Sequence, residues 1–299
     1  MIRPPRFLRT PSGAVGATVF VALLVTAFVG PLFAPHDLDK PVGPPGLGPG
    51  ADYMLGTDYL GRDVLSRLLH GGASVFLYGG AATAMSFGAA LVIGMTAGYS
   101  RSWLDPVLMR MVDILLAFPS LLILLLLTGG AGSGVLVLLI GVTLVQLPTV
   151  ARLIRTATLE IAHKGYVEAA VARGDSTASI LRRDILPNIA NVVLADLSLR
   201  FGYSIILIAS MNYLGLGLQP PAADWGLMVS ENRQFISLNL AGVLAPAILL
   251  ALVTISVNLM VDAYFKSVGR SSTSSHRWKR RRTKQLSTAA VPSARTVAR

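Results

Sequence analysis

The chain alternates between long stretches without a charged side chain and short segments that hold almost all of its charges. Five stretches contain no Asp, Glu, Lys, Arg or His; they lie between Arg9 and His36, His70 and Arg101, Asp113 and Arg152, Arg200 and Asp224, and Arg233 and Asp262. Crossing the hydrocarbon core of a bilayer takes roughly 20 apolar residues, and each stretch is long enough. A soluble helical protein would keep polar residues at helical spacing along such stretches. The pattern therefore predicts an all-α integral membrane protein.

The lengths of these stretches predict about six membrane-spanning helices. The third stretch has 38 uncharged residues, and as one helix it would be about 57 Å long, nearly twice the bilayer core. Glycines at positions 129, 130, 132 and 134 interrupt it, so it is expected to form two helices joined by a tight turn. The predicted spans are residues 14–33, 74–99, 106–127, 135–153, 189–214 and 238–264.

The first predicted span follows three arginines, as the apolar region of a secretory signal peptide also does. The apolar run is longer than in a usual signal peptide, and Pro35 directly follows Ala34, the only credible cleavage residue. We therefore expect an uncleaved span.

The positions of Lys and Arg predict the orientation of the chain. With the N-terminus in the cytoplasm, 21 of the 26 Lys and Arg lie on the cytoplasmic side and four on the external side, with Arg200 inside the fifth span. An excess of Lys and Arg marks cytoplasmic segments. Both termini are therefore expected in the cytoplasm, with residues 35–72 outside and the loop 155–188 inside.

Composition divides the chain into three parts: residues 1–73 with the first span and the external segment, a five-helix membrane core at 74–265, and a basic tail at 266–299. The tail holds ten Lys and Arg and no acid, so it accounts for nearly all of the net charge of +11. Such a tail is expected to be disordered and to lie near anionic lipid, without specific nucleic-acid binding. The chain has no cysteine and no HExxH-type spacing, so no metal site and no cofactor are expected.

The cytoplasmic loop has the local features of a short helix, a turn and a second helix. The run Glu168-Ala169-Ala170 favours helix, and Gly174 is placed to end that helix in the left-handed conformation. Asp175 or Ser176 can cap the next helix. These features alone are equally typical of an ordinary helical hairpin between two spans.

The second half of the loop carries Ile180 and Leu181 on one apolar side. Pro187 suits the first turn of the fifth span, because a proline at that position needs no hydrogen-bond partner for its nitrogen.

The spacing in this loop resembles the "EAA" loop of ABC importer permeases. The residues that match this pattern are Glu168, Ala169, Ala170, Gly174, Leu186 and Pro187. Asp184 departs from it, because the family usually has a bulky apolar residue there. The resemblance implies that the loop is a coupling helix that docks on a cytoplasmic ATPase, with Ile180 and Leu181 among its contacts.

Two further stretches, residues 55–67 and 213–226, resemble the C-type permease of dipeptide, oligopeptide and nickel importers. Their chemistry-bearing residues are Asp58, Gly61, Arg62, Asp63, Asp224 and Trp225. The resemblance assigns them to an external gate region where a binding protein delivers cargo. Residues 61–63 also fit a charged turn held by a local ion pair.

The resemblance implies a type I ABC importer permease fold and a set of partners: a homologous second permease, two cytoplasmic ATPase subunits and an extracytoplasmic substrate-binding protein. The chain is then a multi-pass inner-membrane subunit that forms half of a channel for di- or oligopeptides; nickel chelates, haem and other small solutes remain alternatives. The sequence contains no GxxxxGK[ST] nucleotide-binding loop. The chain is therefore expected to have no enzymatic activity of its own.

Asp196 and Arg200 are ionisable residues inside the fifth predicted span, four positions apart on one face. Such groups usually pair with each other or line an aqueous cavity, so an internal ion pair and a cargo contact in the translocation path are both open. A secondary transporter would need more ionisable groups at membrane depth, often in repeated halves, and a membrane-embedded enzyme would need a nucleophile and base there.

Overall fold

The computed structural model describes residues 10–100 and 102–289, and the side chains among these up to Lys266. Within these residues the chain forms ten α-helices, two 3₁₀ turns and one π-helical turn, and no β-strand. Five of the helices are long and apolar enough to cross a membrane. They are α1 (Pro11–Val29, continued by a 3₁₀ turn to Phe33), α2 (Val64–Tyr99), α5 (Val135–Ala162), α8 (Leu186–Tyr213) and α10 (Ala241–Ala289).

The third predicted span is a broken helix. It consists of α3 (Leu104–Leu116) and α4 (Ser120–Ala131), which are bent by 85° relative to each other. Pro119 causes the break, since it lacks the N–H of a helical residue and disfavours helical backbone at Phe118 before it. The prediction of one straight helix over residues 106–127 was therefore wrong, and the total is five spans plus this bent pair.

The helix ends differ from the predicted ones where a side chain caps them. α2 begins ten residues earlier than predicted, because Asp63 accepts a hydrogen bond from the backbone N–H of Ser66 at 2.9 Å. α10 continues as helix to Ala289, where the tail was predicted to be disordered. Extending an existing helix adds one hydrogen bond for each residue fixed, without a new nucleation step. Residues 290–299 of the tail lie outside the described residues.

The bundle is built on α2 and α5, which pack side by side and run in the same direction. Glycines on α2 allow this close approach: a Cβ at Gly94 would lie 2.7 Å from the carbonyl oxygen of Ala151, and one at Gly98 2.7 Å from that of Arg155. Small residues serve the same purpose between membrane helices generally. α8 runs in the opposite direction beside them, and α1 packs mainly on α10.

The connecting segments therefore gather at two opposite ends of the bundle. We call residues 163–185, which join α5 to α8, the loop segment; it contains α6 (Gly165–Ala172) and α7 (Thr177–Ile180). At the other end lies the cap segment, residues 34–63, against α9 (Trp225–Asn232). The predicted orientation places the loop segment in the cytoplasm and the cap segment outside.

Candidate functional site: the loop segment and the cap segment

The loop segment has the helix, glycine turn and helix that the sequence predicts. Gly174 has a φ of +79°. Its N–H donates to the carbonyl of Val171 at 3.0 Å, and the N–H of Asp175 donates to that of Ala170 at 3.2 Å. These two bonds are the Schellman motif that ends helices at a left-handed glycine. Ser176 caps α7 by accepting a hydrogen bond from the N–H of Ser179 at 3.3 Å.

The loop segment then enters α8 through a π-helical turn, Leu181–Ile185. Pro187 lies in the first turn of α8, as predicted. Single π-helical turns insert an extra residue into a helix and are frequent at functional sites. Here the wide turn carries the partly buried Asp184, the residue that departs from the EAA pattern.

The inner face of the loop segment packs into the core of the protein. Val167, Ala170, Ile180 and Ile185 are buried against a cluster that includes Ile154 of α5. Ile180 is only 1% exposed, so in this structure it faces the bundle and lies off the free surface of the loop segment. Its side chain holds α7 onto the bundle, because burying a large aliphatic group inside the chain is itself favourable.

The outer face carries the other motif residues. Glu168, Ala169 and Gly174 are exposed and Leu181 is half-buried; in the adjoining first turn of α8, Pro187 is exposed and Leu186 is half-buried. The side chains of Tyr166 and Val171 are 45% and 54% exposed and add apolar surface. The helical pattern identifies Ile180 and Leu181 as apolar but does not say which of them faces the bundle.

A groove separates the loop segment from the end of α2. Its cavity volume is about 690 Å³, and it is lined by Thr96, Tyr99, Ser100, Leu104, Ala162, Val167, Glu168, Val171, Thr177 and Leu181. The Glu168 carboxylate has no ion-pair partner among the described residues. The groove thus combines an apolar floor with one free negative charge.

Two ion pairs attach α3 to α5 just before the loop segment. Arg155 donates from Nε and Nη2 to the carboxylate of Asp105 at 2.5 and 2.6 Å. Arg152 pairs with Asp113. Two parallel bonds between a guanidinium and a carboxylate fix the geometry as well as the distance, so the broken helix is tied to the helix that leads into the loop segment. The sequence pattern gave no sign of these pairs, because the partners lie 39 and 50 residues apart.

The cap segment is held by a buried network of charged side chains. Asp58 accepts hydrogen bonds from Nε of Arg62 at 2.7 Å and from Nη1 of Arg67 at 3.0 Å. Nη2 of Arg67 also donates to Glu231 at 2.8 Å. The side chains of Asp58, Arg62 and Arg67 are at most 3% exposed. The predicted local ion pair therefore exists, with Asp58 as the partner of Arg62.

Two capping residues tie this network to the helices. Asp63 caps α2. Asp224 caps α9 and also accepts from the hydroxyl of Ser74 and the amide of Asn212, each at 2.8 Å. Burial raises the pKa of Asp224, and these hydrogen bonds oppose the shift. The indole N–H of Trp225 donates to the carbonyl of Leu68 at 2.8 Å.

All six residues predicted for the external gate region are buried. Gly61 has a φ of +78°, and a Cβ there would lie 2.1 Å from the carbonyl oxygen of Gly43. In this structure these residues serve in turns, caps and ion pairs inside the cap, and their role in an external gate stays a prediction. They fix the cap segment to α2 and α9 and thereby position its surface. Arg67 and Glu231, which complete the network, were missed because they lie 164 residues apart.

Glu231 is the titratable member of this network near neutral pH. Its pKa is raised to about 7, chiefly by burial and to a smaller extent by the nearby Asp58 carboxylate. Arg62 and the hydroxyl of Tyr59, which donates to Glu231 at 3.2 Å, oppose the shift. The cap end therefore contains a carboxyl group that changes charge in the physiological range.

Asp196 and Arg200 form an ion pair within α8, with Nε of Arg200 3.4 Å from Oδ2 of Asp196. Both side chains are partly buried, at 17% and 25% exposed. The internal pair is therefore the arrangement that the structure adopts.

Comparison with known proteins gives four consistent matches. Residues 90–270 match a family described as "Binding-protein-dependent transport system inner membrane component". The chain is 34% identical over 258 residues to the di/tripeptide transport system permease protein DppC of Pseudomonas aeruginosa, covering 84% of this chain and 85% of that protein. It is 35% identical over 260 residues to the glutathione transport system permease protein GsiD of Pectobacterium atrosepticum, covering 86% of each. A solved structure of the inward-facing MetNI methionine ABC transporter has a similar fold, with a TM-score of 0.56, 19% identity and coverage of 68% of this chain and 96% of that chain.

Proposed function

Because the chain belongs to the family of binding-protein-dependent transport system inner membrane components, we propose that it forms one half of the channel of an ATP-driven importer for di- and oligopeptides. Membership makes the chain a multi-pass inner-membrane permease subunit of an ABC importer. The cargo and the role of individual residues are the proposed part.

The observation that carries the mechanism is the exposed face of the loop segment. Gly174 and the helices on both sides of it make the loop segment a rigid unit, and the buried side chain of Ile180 anchors its inner face. An ATPase bound to the outer face moves α5 and α8 together, because the loop segment joins the ends of both helices. The ion pairs of Arg152 and Arg155 extend that movement to α3. Movement of the loop segment is thereby converted into a rigid-body switch between inward-open and outward-open states.

The family works with a second permease, an ATPase and a substrate-binding protein. We assign two ATPase copies to the loop side, because each permease of a pair offers one such segment. The surface of the cap segment then receives the binding protein, with its buried charges as the rigid base. The chain itself carries out no hydrolysis, and its basic tail contacts anionic lipid.

Peptide cargo is supported by the names of the relatives, which are a di/tripeptide permease and a glutathione permease. The ion pair of Asp196 and Arg200 supports a path without a fixed charge for the cargo, since each group already has its partner. Nickel chelates and haem are the other cargo classes to test.

The decisive experiment is uptake by the complete importer in proteoliposomes that contain ATP inside. The panel consists of labelled dipeptides, tripeptides, longer peptides, glutathione, a nickel chelate and haem, each presented with the cognate binding protein. We expect ATP-dependent uptake of at least one peptide class and none of the chelates. A matched complex with an ATPase subunit that cannot hydrolyse ATP controls for leakage. Uptake of only the nickel chelate or haem would refute peptide cargo while leaving the importer assignment intact.

The assignment of coupling to the loop segment and not to the tail has a separate test. Ending the chain after Arg270 removes most of the basic tail. We expect this truncated permease to assemble and to retain cargo-stimulated ATP hydrolysis, and loss of assembly would overturn the assignment.

A further inference from the structure

A chain of polar side chains crosses the middle of the bundle, where three membrane-spanning helices meet. Gln146 of α5 donates from Nε2 to the hydroxyl of Ser204 on α8 at 2.6 Å. That hydroxyl lies 2.7 Å from the hydroxyl of Thr83 on α2. Thr83 in turn donates to the carbonyl of Gly79 at 2.7 Å. All three side chains are at most 3% exposed.

When the Thr83 hydroxyl donates to the carbonyl of Gly79, the direction of every other bond in this chain follows. A carbonyl oxygen only accepts, so the Thr83 hydroxyl uses its proton on Gly79 and must accept from Ser204. Ser204 therefore accepts from the amide of Gln146. No proton remains for the amide oxygen, Oε1, which is buried without a hydrogen-bond partner. Rotating the amide by 180° would leave its nitrogen without a partner instead.

A second orphaned group lies at the same level on α2. The hydroxyl of Ser86 is buried without a hydrogen-bond partner, and Ser86 is 0% exposed. α2 and α5 run in parallel at a similar offset along their length. The hydroxyl of Thr143 donates to the carbonyl of Ala82 at 3.4 Å, and a Cβ at Gly94 would lie against Ala151 and Ile154. The offset of 57 to 61 residues in these contacts places Ser86 beside positions 143–147 of α5, which include Gln146.

We propose that a single water molecule binds between α2 and α5 at this level, bridging the Ser86 hydroxyl and the free end of the Gln146 amide. Leaving such a group unpaired in an apolar interior is destabilising, and membrane surroundings supply no other donor. Water fits both groups because it donates and accepts. A metal cation does not fit, since it needs about six oxygen ligands.

The bound water would complete a polar clasp that joins α2, α5 and α8 at one height. Gln146 lies two residues before Pro148, which interrupts the backbone hydrogen bonding of α5. The clasp thus fixes the part of α5 that precedes the proline, and the part that follows leads to the loop segment.

A double-mutant cycle on the assembled importer tests whether Ser86 and Gln146 share a ligand. The variants are Ser86→Ala, Gln146→Leu and the pair, measured by the thermal midpoint of the purified complex in nanodiscs. We expect Ser86→Ala to lower the midpoint by roughly 2 °C and to have no further effect once Gln146→Leu is present. Additive shifts would overturn the shared site.

Thr158 provides the matched control. Its hydroxyl is also buried without a partner on α5, but it lies 12 residues beyond Gln146, about 18 Å along the helix. Ser86→Ala and Thr158→Val should therefore shift the midpoint additively.

Direct observation separates water from a direct bond between the two side chains. An electron cryo-microscopy map of the importer that resolves ordered water should show one isolated peak between Ser86 and Gln146 in the native protein. The peak should be absent in the Gln146→Leu variant. Side chains in direct hydrogen-bond contact, with no peak between them, would refute the proposal even if the cycle shows coupling.

Discussion

Replacing Gly174 tests whether the turn between α6 and α7 couples ATP hydrolysis to transport. Gly174 is left-handed, with a φ of +79°, and a Cβ at this position would meet no atom within 4 Å. The cost of a side chain is therefore backbone strain alone, about 1–2 kcal/mol for an L-residue in this region. That is small beside the stability of a folded protein, about 5–15 kcal/mol, so Gly174→Val should still insert and accumulate.

The same strain has a large effect on the geometry of the loop segment. A chain that escapes the strain by leaving the left-handed region loses the two Schellman bonds and changes the angle between α6 and α7. A change of 1–2 kcal/mol reduces the fraction in the docking geometry by roughly 5- to 30-fold. We therefore expect ATP-driven uptake to fall by a comparable factor at normal membrane abundance.

Gly132 is the matched control, because its φ is +84° and a Cβ there also meets no atom within 4 Å. It lies in the turn between α4 and α5, away from the loop segment. Its ψ of 171° places it in a region that only glycine adopts readily, so Gly132→Val imposes backbone strain at least as large as Gly174→Val without disturbing docking. Gly134, in the same turn, has an extended φ of 170° that any residue adopts, and Gly134→Val should be milder still. Uptake, ATPase rate and membrane abundance are measured for all three. Equal uptake by Gly174→Val and Gly132→Val would refute the reasoning, however well the motif matches.

Four further predictions concern the buried anchors and the topology. Ile180→Ala should destabilise the purified permease by about 2–5 kcal/mol, seen as a lower thermal midpoint; an unchanged midpoint with loss of coupling would mean that Ile180 contacts the ATPase after all. Asp58→Asn leaves two buried guanidinium groups without their shared carboxylate, which should cost about 3–5 kcal/mol and make the cap segment sensitive to protease; unchanged protection would contradict the network. The folded protein raises the pKa of Glu231 from its ordinary value of 4.5 to about 7, so the stability that this group contributes is complete below pH 4.5 and is lost as the pH rises through 7. The thermal midpoint of the native protein should therefore fall over this pH range relative to that of Glu231→Gln. Parallel pH profiles of the two midpoints would contradict the raised pKa. A cysteine at position 52 should react with an impermeant thiol reagent in intact cells whereas Ser176→Cys should not; the reverse pattern would invert the predicted orientation.

The membrane spans could be predicted from the sequence because one physical requirement dominates them. A charge at bilayer depth is costly, so the uncharged stretches mark the helices almost by themselves. The charge pattern gave no sign of the break at Pro119, because this proline lies inside an uncharged stretch. Hydropathy does not distinguish a straight span from a bent pair, whereas the missing backbone donor of the proline does.

The faces of the helices were harder to predict than their existence. Ile180 and Leu181 both belong to an apolar side, yet only Ile180 is fully buried. The sequence shows that a side chain is apolar. It does not show whether that side chain is buried within the same chain or against a partner subunit, because both remove it from water. The cap network poses the opposite problem, since Asp58 and Arg67 are charged and still lie inside. Their burial depends on Glu231, which no local pattern connects to them.

The motif residues of both segments have a common physical character that explains what they can and cannot reveal. Gly174 and Gly61 are left-handed turns, and Asp63 and Asp224 are helix caps. Few residue types satisfy such positions, because a left-handed turn excludes most side chains and a cap needs a short acceptor. An exposed position such as Ala169 or Val171 tolerates many residues, so its letter says little. The motifs therefore specify how the docking surfaces are held, and the choice of ATPase or binding protein must depend on the exposed side chains between them.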